Sequence, residues 1–205
     1  EKYSIFKKID QLNKPIIIAT FGFCLPNKGY ENLIEAIKLL IDDNFNVKLN
    51  MYCSEYSSQY NYLPNQLNEL ILKLSLEDKV TINSDYLDDL KIHNYLSSSE
   101  LVVFPYQQSF ESSSASVRQG IASGRPVIVT PSTIFQDVSS VVFFTKGFSS
   151  NDIYLAIKDY LTKSNQFENI DSKLHNHKVS SWIKQTNFSR LSVRIRNIIK
   201  ALEIN

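Results

Sequence analysis

Short apolar runs alternate with amphipathic segments along most of this chain, and that alternation limits the possible folds more than any other feature. The first run, residues 16–21, follows Pro15 and is rich in β-branched side chains. A short continuous apolar run of this kind is typical of a strand buried on both faces, as in a parallel sheet. A helical pattern comes next, with apolar residues recurring on one face at Leu33, Ile34, Ile37, Leu40 and Ile41.

The same alternation is repeated further along the chain. Helical patterns are centred on residues 67–74, 87–96 and 112–123. Further strands are predicted at residues 47–53, 79–82, 101–104, 126–129 and 141–144. Strands and helices that alternate at this spacing predict βαβ units with right-handed crossovers. The expected fold is α/β: a Rossmann-like parallel sheet of about six strands with helices on both faces.

After about residue 148 the pattern becomes helical. One helix is predicted to carry Ile153, Ala156, Ile157 and Leu161, and residues 164–178 are polar enough for a loop or a short helix. Residues 182–202 are predicted to be helical and carry arginine and lysine side chains outside their apolar face. These basic side chains form either a solvated face or a contact with a membrane surface or partner domain. We expect residues 1–14 to be a linker or interdomain segment, 15–165 a Rossmann-like domain, and 166–205 a helical segment that closes it.

Composition excludes several classes of function. The net charge is +1 with no broad basic field, which argues against a nucleic-acid-binding protein. No apolar run approaches the roughly 20 residues of a membrane span, and no signal peptide is recognisable. The two cysteines, Cys24 and Cys53, lack metal-site spacing and are expected to pack as reduced thiols. Because the chain begins at Glu1 without an initiator methionine, we expect it to be part of a longer protein. Nothing in the sequence suggests secretion, and we expect a cytoplasmic location.

The first segment with chemical content is FGFCLPNKG, residues 21–29, between the first predicted strand and helix. Ligands of open parallel sheets bind beyond the carboxyl ends of the strands. Gly22 allows close approach of the backbone, and Lys28 would place a cation where a diphosphate would lie. The segment is neither a P-loop nor a G-x-G-x-x-G motif. An ordinary turn with a solvated lysine therefore stays open as the alternative.

The second segment is residues 105–120, where a predicted strand is followed by a loop and a helix that begins near Ser112–Ser114. Serines are good helix N-caps, and a helix amino terminus can hold an anion through its N–H groups and dipole. Glu111 stands just ahead and could accept hydrogen bonds from sugar hydroxyls, or simply cap the helix. Gln119 lies about two turns further along, and small side chains at Ala115, Ser116 and Gly120 would let the helix pack closely.

Other polar groups are weaker candidates. His175 and His177 form an H-x-H pair without a third ligand nearby in sequence, so two exposed histidines in a polar loop are expected. Asp42–Asp43 and Asp88–Asp89 follow or open predicted helices, where solvated acidic residues are ordinary. No metal site is therefore predicted.

Taken together, the two segments resemble the C-terminal domain of family 4 glycosyltransferases of the GT-B fold. That family carries a Gly-Arg-x5-Lys-Gly-like turn after the first strand of the domain and a Glu-x7-Glu motif at a later strand-to-helix turn. Residues 80–90 resemble the segment beside the nucleotide base, residues 124–128 resemble the family's Gly-x-Pro-Val strand start, and the helix at Trp182 resembles its closing helices. The resemblance extends from residue 15 to about residue 140.

The resemblance implies a role for each matched position. Lys28 would contact the donor diphosphate, Glu111 the donor sugar, Gln119 the ribose, and Tyr86 would lie beside the base. Catalytic roles are thereby implied for Glu111 and Lys28. Donor binding is implied for Gly22, Phe23, Lys28, Tyr86, Glu111, Ser112, Ser113, Ser114 and Gln119.

Three positions depart from the family pattern. Phe23 replaces an arginine that contacts the diphosphate, Gln119 replaces the ribose-binding glutamate, and Ser84 stands where glycine is common. Loss of the arginine removes a strong charge-assisted contact. We hypothesise that Arg118 or Arg125 supplies the missing positive charge.

The resemblance also implies an activity for the full protein. It would transfer a sugar from a nucleotide-diphosphate sugar to an acceptor hydroxyl with retention, without a metal cofactor. A glycan or lipid-linked acceptor would bind an N-terminal domain outside this chain, at the inner face of the membrane, and this chain alone would be inactive. Two alternatives stay open: a non-catalytic nucleotide-binding or interaction domain, and a nucleotide-sugar epimerase-type enzyme.

Overall fold

A computed structural model describes residues 14–108, 111–166 and 170–203 of the chain. The chain divides into two compact units between Phe167 and Glu168. The first unit contains the sheet and the second contains two helices. None of the described helices is long and apolar enough to cross a membrane.

The first unit is built on a six-stranded parallel sheet with the strand order β3-β2-β1-β4-β5-β6. The strands are β1 (Ile16–Cys24), β2 (Val47–Glu55), β3 (Val80–Asn83), β4 (Leu101–Phe104), β5 (Val127–Val129) and β6 (Phe143–Phe144). The predicted α/β class, strand number and parallel pairing are therefore confirmed.

Among the described residues of the first unit, five helices accompany this sheet. They are α1 (Tyr30–Asp42), α2 (Leu63–Lys73), α3 (Asp89–Ser97), α4 (Ala115–Ala122) and α5 (Ser150–Gln166). Short 3-10 helices occupy Ser58–Tyr60 and Thr133–Val138, which the sequence patterns did not predict. On one face of the sheet, α1, α2 and α5 share a continuous apolar core with alternate residues of β1 and β2.

Three predicted boundaries were wrong. The turn expected from Gly22 begins only after Cys24, because β2 pairs with β1 as far as Cys24 opposite Glu55 and extends the strand beyond its apolar run. The helix expected from Ser112 begins at Ala115, after the N-cap Ser114. The last strand contains only Phe143–Phe144, which pair with Ile128 and Val129 of β5.

The two cysteines are buried free thiols at the carboxyl ends of β1 and β2, as expected. Burial is the main cause that raises the pKa of the Cys24 thiol to about 11, and carboxylates at Glu31 and Glu55 add to it. Burial also raises the pKa of Cys53. Both groups are therefore protonated near neutral pH and pack as small apolar side chains.

Helix α4 packs very closely on the opposite face of the sheet. A Cβ at Gly120 would lie 2.6 Å from the Phe104 ring and 3.5 Å from the Val102 side chain. Gly120 therefore allows the close helix–sheet approach that the small residues of this helix predicted. This contact sets the depth at which α4 lies against β4.

The second unit contains α6 (Ile170–Thr186) and α7 (Phe188–Glu203). The loop or short helix predicted for residues 164–178 is wrong, because α6 covers most of that range. The prediction of a single helix over residues 182–202 is also wrong, because Asn187 separates α6 from α7. The Asn187 side-chain Oδ1 accepts the Arg190 backbone N–H at 2.9 Å and thereby caps α7. The apolar stripe of α7 is exposed.

Candidate functional site

The strand order reverses between β1 and β4, and this is the switch point of the sheet. From β1 the chain proceeds to β2 and β3 on one side, then returns to place β4 on the other. Such a reversal opens a crevice at the carboxyl ends of the two central strands, where open α/β sheets bind ligands. The loops leaving these strands are residues 25–29 and 105–114, the two segments singled out by sequence.

These two loops are joined to each other. The Gln107 backbone N–H donates to the Asn27 carbonyl at 2.8 Å. Gly29, at φ 68°, lies so close to the second loop that a Cβ would be 2.0 Å from the Pro105 carbonyl oxygen. Gly29 is thus required both for its left-handed conformation and for the contact. The relative position of the loops is therefore set by backbone packing.

Lys28 and Glu111 meet at this junction. The Lys28 ammonium nitrogen lies 3.7 Å from Glu111 Oε2, as an ion pair longer than a hydrogen bond. The Lys28 side chain is 12% exposed and that of Glu111 57%, so the carboxylate faces solvent while the lysine is largely enclosed. One cation and one carboxylate, from different loops, are thereby presented at the same opening.

The aromatic ring of Tyr106 packs against the ammonium group of Lys28. Sequence reasoning did not identify Tyr106 as a site residue. The Lys28 ammonium lies 4.0 Å from the centroid of the Tyr106 ring, which is 1% exposed. A cation above an aromatic face is attracted by the ring quadrupole, more strongly where water is excluded. The signal available in sequence was an aromatic residue directly after Pro105, in the loop that also carries Glu111.

The amino end of α4 completes the opening. Ser114 caps it, with its Oγ accepting the Val117 N–H at 3.3 Å. By helix geometry, the N–H groups of Ala115 and Ser116 have no acceptor within the helix. Ser112 and Ser113 precede the cap and are exposed. The amino terminus of α4, which favours anions, thus begins a few residues after Glu111, the carboxylate that pairs with Lys28.

Gly22 lies in β1 at the centre of this edge. A Cβ there would lie 3.1 Å from the Tyr30 hydroxyl and 3.4 Å from the Ser116 and Tyr106 hydroxyls. The Tyr30 hydroxyl donates to the Phe23 carbonyl at 3.2 Å. Hydroxyl groups from α1, α4 and the loop after β4 therefore surround a residue without a side chain, which agrees with close packing as its reason for being glycine.

Phe23 and Tyr86 are exposed aromatic residues at the same edge of the sheet. The Phe23 ring packs against Tyr56 with ring centroids 5.1 Å apart. Tyr86 lies between β3 and α3 and is 81% exposed. Their expected donor-binding roles stay predictions.

Gln119 contacts an acidic residue on the neighbouring helix. Its Nε2 donates to Asp89 Oδ1 at 3.0 Å. Gln119 is half-buried on α4, and Asp89 is exposed on the first turn of α3. Asp89 is a residue that sequence reasoning dismissed as a solvated acid.

The hypothesis about Arg118 and Arg125 is resolved in part. Arg118 donates to the Ser114 carbonyl at 2.9 Å, so it lies at the amino end of α4, but it also forms an ion pair with Asp137. Arg125 donates to the Ser97 carbonyl at 2.7 Å and directly precedes the β5 strand region, at the opposite edge of the sheet. Arg125 is therefore excluded, and the charge of Arg118 is compensated.

The remaining polar candidates have structural surroundings. Asp88 caps α3, and the Lys91 backbone N–H is the main cause that holds the pKa of its carboxyl below the usual range. Asp43 accepts from Tyr154 at 3.0 Å and pairs with Lys158. His175 and His177 lie in α6, so the polar loop expected for them is wrong, and His175 is half-buried. In the described part of the chain, no three His, Cys, Asp or Glu side chains form a group that could hold a metal ion.

Comparison with known sequences gives a family match over most of the first unit. The family model described as "Glycosyl transferases group 1" matches residues 14–158. The chain is 28% identical over 116 residues to mannosylfructose-phosphate synthase from Agrobacterium fabrum (strain C58 / ATCC 33970). That match covers 56% of this chain and 25% of the relative, so the chain spans only a part of that protein's length.

Solved structures share the fold. Sucrose-phosphate synthase from Thermosynechococcus elongatus superimposes with a TM-score of 0.74 at 17% identity, over 93% of this chain and 46% of that chain. The C-terminal domain of a group 1 family glycosyl transferase from Francisella tularensis gives a TM-score of 0.66 at 16% identity, over 83% of this chain and 85% of that domain. At these identities the likeness concerns the fold.

Proposed function

This chain belongs to the group 1 glycosyl transferases, and from that membership we propose that it is the donor-binding part of an enzyme that transfers a sugar from a nucleotide-diphosphate sugar to an acceptor hydroxyl. A further domain of the full protein would bind the acceptor, a glycan or a lipid-linked sugar. Similarity to an isolated C-terminal domain over 85% of its length supports this division. The proposed location is the cytoplasm, at the inner face of the membrane.

The observation that carries the proposal is the meeting of Lys28, Glu111 and the amino end of α4 at the switch point of the sheet. A nucleotide-sugar has two chemically different parts at its reacting centre, a diphosphate and a polyhydroxylated ring. A lysine and a helix amino terminus suit the first. An exposed carboxylate that accepts hydrogen bonds from hydroxyl groups suits the second.

The chemistry assigned to these groups is charge stabilisation and positioning. The bond between the anomeric carbon and the phosphate oxygen breaks, and the nucleoside diphosphate leaves with the electron pair. The acceptor oxygen forms the new glycosidic bond, and its proton passes to an oxygen of the departing diphosphate. Lys28 and the α4 N–H groups stabilise the negative charge that grows on the diphosphate, and Glu111 orients the sugar. Retention at the anomeric carbon is part of the proposal.

Positive charge at the diphosphate would come from Lys28 and the helix dipole, so the proposed reaction needs no bound metal. Lys28 is well suited to this role because Tyr106 and the surrounding loops enclose its side chain. An enclosed ammonium group loses less side-chain entropy on binding than a freely solvated one. The compensated Arg118 would contribute only if a ligand displaced Asp137.

The test is binding of nucleotides by the full-length protein. UDP, GDP, ADP and their glucose or mannose conjugates are titrated by calorimetry into the wild type, Lys28→Ala and the matched control Lys73→Ala. One nucleotide series should bind, and Lys28→Ala should weaken that binding by about 1.5–3 kcal/mol, which is roughly 10-fold to 150-fold. Lys73→Ala should bind like the wild type.

Two outcomes would reject the proposal. If no nucleotide or nucleotide sugar binds at millimolar concentration, the chain is a non-catalytic interaction domain. If a nucleotide sugar binds but the products are its epimer and no glycoside, the enzyme is of the epimerase type. Product analysis by mass spectrometry and NMR separates the second outcome from sugar transfer.

A further inference from the structure

A side-chain hydrogen bond joins helices α3 and α4 at the carboxyl edge of the sheet. The Gln119 Nε2 donates to the Asp89 Oδ1 at 3.0 Å. Asp89 is the first residue of α3, which follows the carboxyl end of β3, and Gln119 lies in the second turn of α4. The hydrogen bond therefore holds an acidic group beside the helix whose amino end forms the diphosphate site of the proposed function.

The Asp89 carboxylate keeps most of its capacity to accept hydrogen bonds. Across residues 14–108 and 111–166, the ion pairs of this region do not include Asp89, and the nearby Lys91 pairs with Asp88 instead. The contact with Gln119 is with a neutral amide. An ionised carboxylate has about four acceptor positions, of which this contact uses one. The amino end of α3 stabilises the negative charge without neutralising it.

We propose that Asp89 is a ligand-binding residue that accepts hydrogen bonds from the ribose hydroxyls of the nucleotide, and that Gln119 is a positioning residue that holds its carboxylate. This inference rests on the proposed function. The ribose is attached directly to the diphosphate, so a diphosphate at the amino end of α4 places its sugar within reach of the same helix. Nucleotide-binding folds commonly use an acidic side chain to accept from the ribose hydroxyls.

The arrangement also explains a departure seen in the sequence. Position 119 carries an amide, which cannot supply a negative charge. The structure shows that an acidic residue from the preceding helix reaches that amide. With Asp89 Oδ1 held by Gln119, Asp89 Oδ2 and the remaining acceptor position of Oδ1 are available to the vicinal hydroxyls of a ribose.

A purely structural role for Asp89 makes a different prediction. An acidic residue in the first turn stabilises a helix whatever ligand is bound. Its replacement would then affect all nucleotides equally. The contribution of ribose hydroxyls is isolated by comparing a ribonucleoside diphosphate with its 2′,3′-dideoxy analogue.

The experiment measures affinities of the full-length protein for UDP, GDP and ADP and for the 2′,3′-dideoxy analogue of whichever binds. The wild type should bind the ribonucleotide about 10-fold to 100-fold more tightly than the analogue. Asp89→Asn should lose most of this preference while its affinity for the analogue stays that of the wild type. Asp78→Asn, an exposed acid at the opposite edge of the sheet, should keep the full preference.

Gln119→Leu tests the positioning role. This variant should lose part of the preference for the ribonucleotide over the dideoxy analogue. Adding Asp89→Asn to Gln119→Leu should reduce that preference by a smaller factor than Asp89→Asn does in the wild type, because the two residues act together. Independent, additive effects of the two substitutions would contradict the assigned role of Gln119.

The inference fails if Asp89→Asn keeps the wild-type preference, or if it weakens ribonucleotide and analogue equally. These failures are distinct from failure of the proposed function. If Lys28→Ala weakens nucleotide binding and Asp89→Asn does not, only the inference is rejected. If the wild type binds none of the three diphosphates, both are rejected.

Discussion

The ammonium nitrogen of Lys28 lies 3.7 Å from Oε2 of Glu111, across two loops that leave different strands of the sheet. Without a ligand, each charge partly offsets the other. A diphosphate that binds Lys28 would compete with Glu111 for the same ammonium group, and a sugar ring would offer Glu111 hydroxyl donors in exchange. The pair can therefore respond differently to a nucleotide and to a nucleotide sugar.

Replacement of Glu111 by glutamine should separate these two ligands. Glu111→Gln removes the negative charge, so binding of the nucleoside diphosphate should stay the same or strengthen. Binding and turnover of the nucleotide sugar should fall, because a charged acceptor of hydrogen bonds contributes about 1.5–3 kcal/mol. Calorimetry with both ligands and a transfer assay on the full-length protein provide the measurements.

Glu77→Gln is the matched control for this substitution, since Glu77 is an exposed acid just before β3, at the edge of the sheet away from the site. It should bind both ligands like the wild type. Full transfer activity in Glu111→Gln would contradict the role assigned to Glu111.

Tyr106 should strengthen ligand binding through Lys28. Tyr106→Leu removes the aromatic face under the ammonium group, whereas Tyr106→Phe keeps the ring and removes only the hydroxyl. The affinity for the nucleotide should fall in the leucine variant by about 1–2 kcal/mol and stay near the wild-type value in the phenylalanine variant. Calorimetry on the two variants measures this difference.

A double-mutant cycle with Lys28→Ala shows whether the loss acts through Lys28. In the Lys28→Ala background, Tyr106→Leu should have little further effect on affinity. Thermal unfolding of each variant establishes how much the core is weakened. Equal losses of affinity in both backgrounds would mean that Tyr106 acts only on the stability of the fold.

Gly29→Ala should destabilise the protein much more than Gly124→Ala, although both glycines are left-handed, with φ 68° and 74°. Each alanine meets the unfavourable left-handed conformation, at about 1–2 kcal/mol. At Gly29 the new Cβ would also lie 2.0 Å from the Pro105 carbonyl oxygen, whereas nothing lies within 4 Å at Gly124. The collision should add about 1–3 kcal/mol. Urea unfolding measures the difference, and equal losses would contradict the contact between the two loops.

The free energy of unfolding should decrease as the pH rises through the alkaline range, partly because of the Cys24 thiol. The pKa of this buried thiol is raised from 9.0 to about 11, so the folded state binds the proton more tightly than the unfolded state. The resulting stabilisation is complete below pH 9 and is lost as the pH rises towards 11. Urea midpoints between pH 8 and 11 should decline less steeply in Cys24→Ala than in the wild type. Identical slopes would show that Cys24 does not titrate in this way.

Local patterns predicted the order of the elements well and their ends less well. Residues 101–104 form the strand that their apolar run predicted, and α1 contains all five residues of the predicted helical face. The extension of β1 to Cys24 needed the pairing with β2, which no local pattern contains. The break at Asn187 depends on a side-chain cap inside a segment with continuous helical periodicity.

Some residues of the candidate site were likewise identifiable from the sequence, and others only from tertiary contacts. Lys28 and Glu111 were identifiable by their place at strand-to-helix turns, because sequence order alone puts such turns at the carboxyl edge of a parallel sheet. Gln119 was identifiable by its spacing from Glu111, which matches the family motif. Tyr106 and Asp89 were not, because their relevance depends on contacts with residues that are distant in the chain.

The amino-acid sequence by itself therefore determined the alternating parallel architecture and the two loops that carry charge, since apolar periodicity and turn residues are properties of neighbouring positions. Tertiary structure decided which charges meet. The strand order places β1 beside β4, and close packing at Gly29 and Gly120 brings the loops and α4 to within contact distance. Strand pairing and packing are interactions between distant segments, so their outcome is not contained in any local pattern.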